Sequence, residues 1–179
     1  MAYTFDEPKL GLLQITAVDA GFVPPNQATA IPTPPTTLGM ICRAFDPTFG
    51  EGEFIVLAGV ANTVVGLLVN YNTTSYTTTL MPSTANLAQP CAVAMSANIL
   101  ATTFGWYQIS GVAVIKKTAT KVSPNVALYQ SATAGRVFAT ATSGKQILGC
   151  RSANAATIAS ATSTINAIID RPHMQGATS

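Results

Sequence analysis

The stretch Phe104-Gly105-Trp106-Tyr107-Gln108-Ile109-Ser110-Gly111-Val112-Ala113-Val114-Ile115-Lys116 decides the fold class. In an extended chain successive side chains point to opposite faces. Ile109, Gly111, Ala113 and Ile115 are therefore expected on one face of a strand, with Val112 and Val114 on the other. Both faces are apolar, and such a strand belongs in the middle of a sheet system, buried on both sides.

Working outward, strands are expected at residues 38–45, 53–60, 63–70, 75–81, 91–97, 106–115, 126–129, 136–140, 146–151 and 164–169. They are rich in Val, Ile, Thr and aromatic residues. Asp46-Pro47, Phe49-Gly50-Glu51-Gly52, Ala61-Asn62, Pro82-Ser83, Ser123-Pro124-Asn125 and Ser143-Gly144 punctuate them as turns. Short strands at this spacing indicate an all-β fold, an antiparallel β-sandwich or barrel. Residues 135–140 and 146–150 read as a hairpin closed through Thr142-Ser143-Gly144-Lys145. The Ala-rich residues 153–169 place Ile158, Ile165, Ile168 and Ile169 where a helical stripe would have them. Their many Thr and Ser residues favour a loop followed by a terminal strand.

Residues 1–37 read as an extended, Pro-rich N-terminal arm ahead of a body at residues 38–179, which ends in a short polar tail. Pro24, Pro25, Pro32, Pro34 and Pro35 fix φ and remove backbone donors. This excludes helix and sheet interior and favours a polyproline-like path. Leu10, Leu12, Leu13 and Ile15 form an apolar segment able to add a strand to a sheet edge. With Phe22, Val23 and Ile31 they are the arm's candidate interface residues, and the body is expected to fold without the arm.

Charged residues make up 9% of the 179, against roughly 25% in an ordinary globular domain. The hydrophobic share of 48% is ordinary, so small neutral residues have taken the place of charge. A surface this neutral suits a protein covered by neighbours in its working state, or else a stable extracellular β-protein rich in Thr and Ser. No Asp or Glu occurs between residues 54 and 169, which hold Lys116, Lys117, Lys121, Arg136, Lys145 and Arg151. A basic body and an acidic N-terminal segment let one subunit's arm lie on another's body, or the body on an acidic lattice. Lys116, Lys117, Lys121 and Arg136 are the candidate body contacts, and ordinary solvated surface explains them equally well. The net charge of +2 argues for neither nucleic acid nor anionic membrane.

Chemistry is hard to assemble from these residues. Acid–base catalysis needs two titratable groups held together. Asp6-Glu7 and Glu51/Glu53 are the close carboxylate pairs, and Glu51-Gly52-Glu53 reads as a solvated turn. His173 is the single histidine, in a polar tail, without a nucleophile elbow or a second histidine for a metal. Ser143-Gly144-Lys145-Gln146 lacks the remaining residues of a phosphate-binding loop. Trp106 and Tyr107 beside Lys116-Lys117 suit a sheet core better than a base-stacking platform. Cys42, Cys91 and Cys150 lie far apart in apolar stretches, as reduced, buried thiols made in a cytoplasm. The first residues are acidic where a secretory signal is basic. The most apolar window, residues 54–69, is shorter than the ~20 residues of a spanning helix and is broken by Asn62-Thr63. The expectations are no catalytic residue, no cofactor, no metal, no nucleic acid and no membrane segment.

The run from Phe104 to Lys116, the segment Val126-Ala127-Leu128-Tyr129-Gln130-Ser131-Ala132-Thr133-Ala134-Gly135-Arg136-Val137, the segment Lys145-Gln146-Ile147-Leu148-Gly149-Cys150-Arg151-Ser152 and the closing Asn166-Ala167-Ile168-Ile169-Asp170-Arg171-Pro172 together resemble head decoration (cement) proteins of tailed bacteriophages. The likeness covers roughly residues 53–170. It implies a protein on the outer surface of an assembled capsid, often a homotrimer, stapling neighbouring major capsid protein subunits. The long Pro-rich arm departs from the family's common pattern. The alternatives are another virion part, such as a tail, fibre or minor head protein, and a carbohydrate- or nucleic-acid-binding β-module.

Overall fold

The computed structural model describes residues 3–6, 14–21, 32–98 and 100–177. Strands follow in the order β1 (Thr4–Phe5), β2 (Ile41–Asp46), β3 (Gly50–Ala58), β4 (Leu68–Tyr71), β5 (Thr78–Leu80), β6 (Cys91–Ala94), β7 (Phe104–Lys116), β8 (Ala127–Gln130), β9 (Val137–Phe138), β10 (Gln146–Ser152) and β11 (Thr164–Met174). Among the described residues there is no helix, and the strands form one antiparallel sheet, the all-β class the sequence indicates. The Ala-rich residues 153–163 are irregular and lead into β11. Residues 64–67 form a turn, closed by the Leu67 N–H on the Val64 carbonyl at 3.1 Å, where strand was expected.

The sheet order is β1-β2-β3-β7-β11-β10-β8-β9, and β6 leaves β7 to carry β4 and then β5. Both ends curl back. Val137 of β9 makes a parallel bridge to Lys117 just past β7, and Thr118 N–H donates to the Val137 carbonyl at 3.0 Å. At the other end Ala58 N–H donates to the Tyr76 carbonyl at 3.1 Å, and Thr78 Oγ1 donates to the Ala58 carbonyl at 2.7 Å. Of the sandwich and barrel alternatives, these closures are barrel-like: two curled units that share β7.

β7 contributes to all three hydrophobic clusters. Trp106 packs with Tyr3, Ile15, Cys42, Phe54 and Val56. Tyr107 and Ile109 pack with Ile55, Leu57, Val69 and Ala94. Ala113 and Ile115 pack with Val93, Leu128, Ile147, Cys150, Ile165 and Ile169. The single face expected for Ile109, Ala113 and Ile115 is broken. Ala94 pairs with Tyr107 and Val93 with Gln108, so they lie on opposite sides of β7. Ile109 belongs to the Ala94 side, whereas Ala113 and Ile115 belong to the Val93 side. A β-bulge causes the exchange: Phe54 pairs with Gln108 but Glu53 with Ser110, and one extra residue turns the following side chains over. Gly111 completes it at φ +97°, where a Cβ would collide with the Glu51 carbonyl oxygen.

The hairpin expected between residues 136–140 and 146–150 does not form, because β8 lies between them. Tyr129 pairs with Gln146 on one side and Phe138 on the other. The intervening segment from Ala139 to Lys145 is long enough to leave room for a strand. β11 also outruns its expected end at Ile169. A second bulge sets Asp170, Arg171 and Pro172 against Gly149, after which Leu148 pairs with His173 and Ile147 with Met174. Pro172 lacks an N–H, and the bulge is where its absence breaks no ladder bond.

Part of the expected arm belongs to the core. Tyr3 is buried, meets Phe54 edge-on at 4.8 Å, donates its hydroxyl to the Val112 carbonyl at 2.9 Å and accepts from Gln108 Nε2 at 3.3 Å. Phe5 lies edge-on to Trp106 at 5.6 Å. Ile15 is buried in the same cluster, and Asp19 exchanges backbone hydrogen bonds with Phe104 at 3.0 and 2.7 Å. Side chains thus cross the boundary expected after residue 37. Deleting residues 1–37 should lower the melting temperature by roughly 10 °C or more, since each buried aromatic or Ile side chain lost costs about 2–5 kcal/mol. Tyr3→Phe should cost about 0.5–1.5 kcal/mol in denaturant titration by removing one of the two hydrogen bonds to the Val112 carbonyl, which keeps its bond from Gln108 Nε2. An unchanged melt for the deletion would show the arm to be separable.

Candidate interaction face

Among the described residues, the outer side of the β7–β11–β10–β8 sheet is only half-covered. Pairing sets Val112 beside Ile168, Ile168 beside Arg151 and Arg151 beside Ala127, with Val114 beside Asn166 in the next row. The inner side of the same strands is the closed cluster of Ala113, Ile115, Leu128, Cys150 and Ile169. Val112, Val114 and Ala127 are only partly buried, and Ile168 is 37% exposed. The sequence expects Val112 and Val114 on a fully buried face. The bulge at Ser110 instead carries them to the outside, where the described residues cover them only in part.

Charge gathers around this apolar strip. Ser110 sits between Glu53 and Asp170 in one cross-strand row. Glu53 accepts from Arg43 Nε at 3.4 Å and from Arg171 Nη2 at 2.9 Å, which links β2, β3 and β11. Both guanidinium groups are more than half exposed, so solvent screening keeps each pair near 0–1 kcal/mol and the network orients more than it stabilises. Arg43, Glu51, Glu53 and Ser110 line a shallow cavity of about 280 Å³. A larger cavity of about 560 Å³ opens where β10 and β11 both bulge, lined by Asn125, Gln146, Arg151, Ile168 and Asp170 around Gly149. Gly149 is indispensable there: it lies at φ +69°, and a Cβ would collide with the Asp170 carbonyl oxygen.

Sequence reasoning did not find this cluster. It reads Glu51 and Glu53 as solvated turn residues and leaves Asp170 just past the expected terminal strand, yet the fold gathers all three on one face. A signal was available for one pair. β2 and β3 fold about Thr48, and residues equidistant from the turn pair, so Arg43 faces Glu53.

The residues singled out beforehand do not form one site. Ile15 lies in the chain's own core, and Leu10, Leu12, Leu13, Phe22, Val23 and Ile31 lie outside the described residues. Lys117 is 1% exposed. Its Nζ donates to the carbonyls of Thr120 at 2.8 Å, Ser160 at 3.2 Å and Thr118 at 3.3 Å. Burial lowers its pKa by penalising the charged form. Arg136 Nη1 donates to the Lys117 carbonyl at 3.0 Å, so these two side chains lock loops together. Lys121 is exposed and Lys116 partly buried.

His173 is exposed on β11 and lies 3.4 Å from the Arg171 carbonyl. Among the described residues no three His, Cys, Asp or Glu side chains gather as a metal site requires. No protein-family model and no curated protein matches the sequence.

Burial pushes the Cys150 thiol up to about 12, and Cys91 is raised further by burial and by its neighbour Cys150. The Tyr107 phenol, also buried, rises to about 12. These groups stay protonated in the folded chain, while the unfolded chain ionises near their ordinary values of 9.0 and 10.0. Stability should therefore hold below about pH 8 and fall as the pH climbs past 9. Cys91 and Cys150 should react with an aromatic disulfide reagent at pH 8 only as fast as the protein unfolds, and prompt labelling of either would contradict their burial.

Proposed function

We propose that the chain is a non-catalytic structural subunit of a virus particle, a decoration or cement protein that binds the outer surface of a phage head and staples neighbouring major capsid protein subunits. The observation that carries the packing role is the half-covered apolar strip of Val112, Val114 and Ile168 on the outside of a sheet whose inside is closed. Burying side chains of this size from full exposure is worth about 1.5–3 kcal/mol each, and the fraction of each that is still open here is association energy left on the surface. The low charge of the chain, 9%, supports the same reading, since a protein held in a lattice has little need of a repulsive surface. The resemblance of the β7, β8, β10 and β11 sequences to phage cement proteins supplies the kind of particle.

The test is sedimentation of the purified chain with expanded, empty capsid shells. Co-pelleting at a copy number approaching that of the major capsid protein is expected. A chain that remains in the supernatant at every shell concentration would refute the assignment.

A further inference from the structure

We propose that the basin between the end of β7, the turn at residues 133–136 and the segment at residues 160–163 binds a phosphate- or sulfate-type oxyanion. Arg136 and the neighbouring hydroxyls would hold the ion, and the buried Lys117 ammonium adds its charge. The inference goes beyond the structural-subunit reading and does not depend on it.

The first argument is charge. Lys117, Arg136, Thr133, Ser160, Thr162 and Ser163 line a cavity of about 350 Å³. No carboxylate lines it, and residues 54–169 contain none. On β11 the next carboxylate is Asp170, six residues past Thr164 and roughly 20 Å along the strand. That is well beyond the ~8 Å Debye length at physiological salt. Neither cation has an ion-pair partner among the described residues. Lys117 is 1% exposed, and its ammonium is met by three carbonyls. Such dipoles offset part of the cost of withdrawing a charge from water, and an opposite charge nearby offsets more.

The second argument is the supply of donors. Lys117 spends its three N–H groups on those carbonyls, so it contributes charge and no hydrogen bond. Arg136 donates from Nη1 to the Lys117 carbonyl at 3.0 Å, and the rest of its fork has no partner among the described residues. The hydroxyls of Thr133, Ser160, Thr162 and Ser163 make no hydrogen bond among the described residues either. The Thr120 hydroxyl, on a residue whose carbonyl holds Lys117, is buried without a partner. Donor capacity at this end of the barrel thus exceeds what the chain's own acceptors take up. A guanidinium fork meets two oxygens of a phosphate or sulfate side by side. The hydroxyls stand on both bordering segments, which suits an anion with oxygens in more than one plane; a carboxylate has both of its oxygens in one. The volume exceeds that of a single ion, so the site admits a free ion or a phosphate carried on a larger molecule.

The experiment titrates the purified full chain, isotope-labelled for amide NMR, with inorganic phosphate and separately with glycerol phosphate, ionic strength being held constant with chloride. Saturable shifts are expected at residues 117–119, 133–136 and 160–163, and none with chloride alone. Arg136→Gln should weaken binding about tenfold or more, since hydrogen bonds between charged groups are lost. Arg136 also ties down the Lys117 carbonyl, so Thr162→Asp is a second variant. Thr162 is exposed, and a carboxylate there should abolish phosphate binding while leaving the Arg136 contact intact. Lys121→Gln, exposed and outside the cavity, should leave the affinity unchanged. Circular dichroism and melting of each variant check the fold. Tighter binding of glycerol phosphate would assign the site to a phosphate on a larger molecule, and tighter binding of the inorganic ion to a free anion; either supports the proposal. Absence of saturable shifts, an equal loss in Lys121→Gln, or a folded Thr162→Asp variant that binds like wild type would overturn it. No capsid enters the measurement, so its failure leaves the structural assignment to be judged by sedimentation alone.

Discussion

The molecule depends on one strand serving three cores. β7 pairs with β3, β6 and β11, and a strand with so many neighbours cannot keep a single regular pleat. Before the bulge both of its faces are buried, Trp106 toward the N-terminal segment and Tyr107 and Ile109 toward the β4–β5–β6 unit. After it, the inward side chains are Ala113 and Ile115. The bulge at Ser110 and Gly111 is thus the joint between the two curled units. Gln108 holds it together, since its Nε2 donates to the carbonyls of Ser110 and Val112 at 3.1 Å each and to the Tyr3 hydroxyl. Those bonds satisfy carbonyls that a bulge removes from the ladder.

The consequence for function is geometric. An apolar β7 that stayed in register would bury Val112 and Val114 in the place taken by Ala113 and Ile115. The bulge turns them outward beside Ile168 and leaves them partly covered. Near the same row, a two-residue excess in β11 opposite Gly149 opens a cavity beside Asp170 and Arg151. Irregularities in the two longest strands therefore shape a face that the described residues leave partly covered.

Much of this was legible in the sequence, and the exceptions share a cause. Strand positions followed from period-2 apolar patterns, and β2, β3, β7, β8 and β10 lie within a few residues of where composition puts them. Partners were less legible. Adjacent segments 136–140 and 146–150 suggest a hairpin, but β8 takes the place between them, a non-local choice that local propensity does not encode. The face that each residue presents was lost wherever a bulge intervened, because one extra residue inverts the prediction for everything beyond it. Glu53, Arg171 and Asp170 were missed as a group for that reason: they meet across strands distant in sequence, through two bulges. Lys117 was read as a surface cation because nothing in its neighbours announces the three carbonyls that surround its ammonium.

The central claim is that the outer side of β7 and β11 is finished by protein from outside the chain. A density map of the assembled particle, at a resolution that shows side chains, tests it most directly. The account predicts Val112, Val114 and Ile168 packed against another polypeptide. A map in which the chain is attached through a different surface, with those three side chains facing solvent, would contradict it.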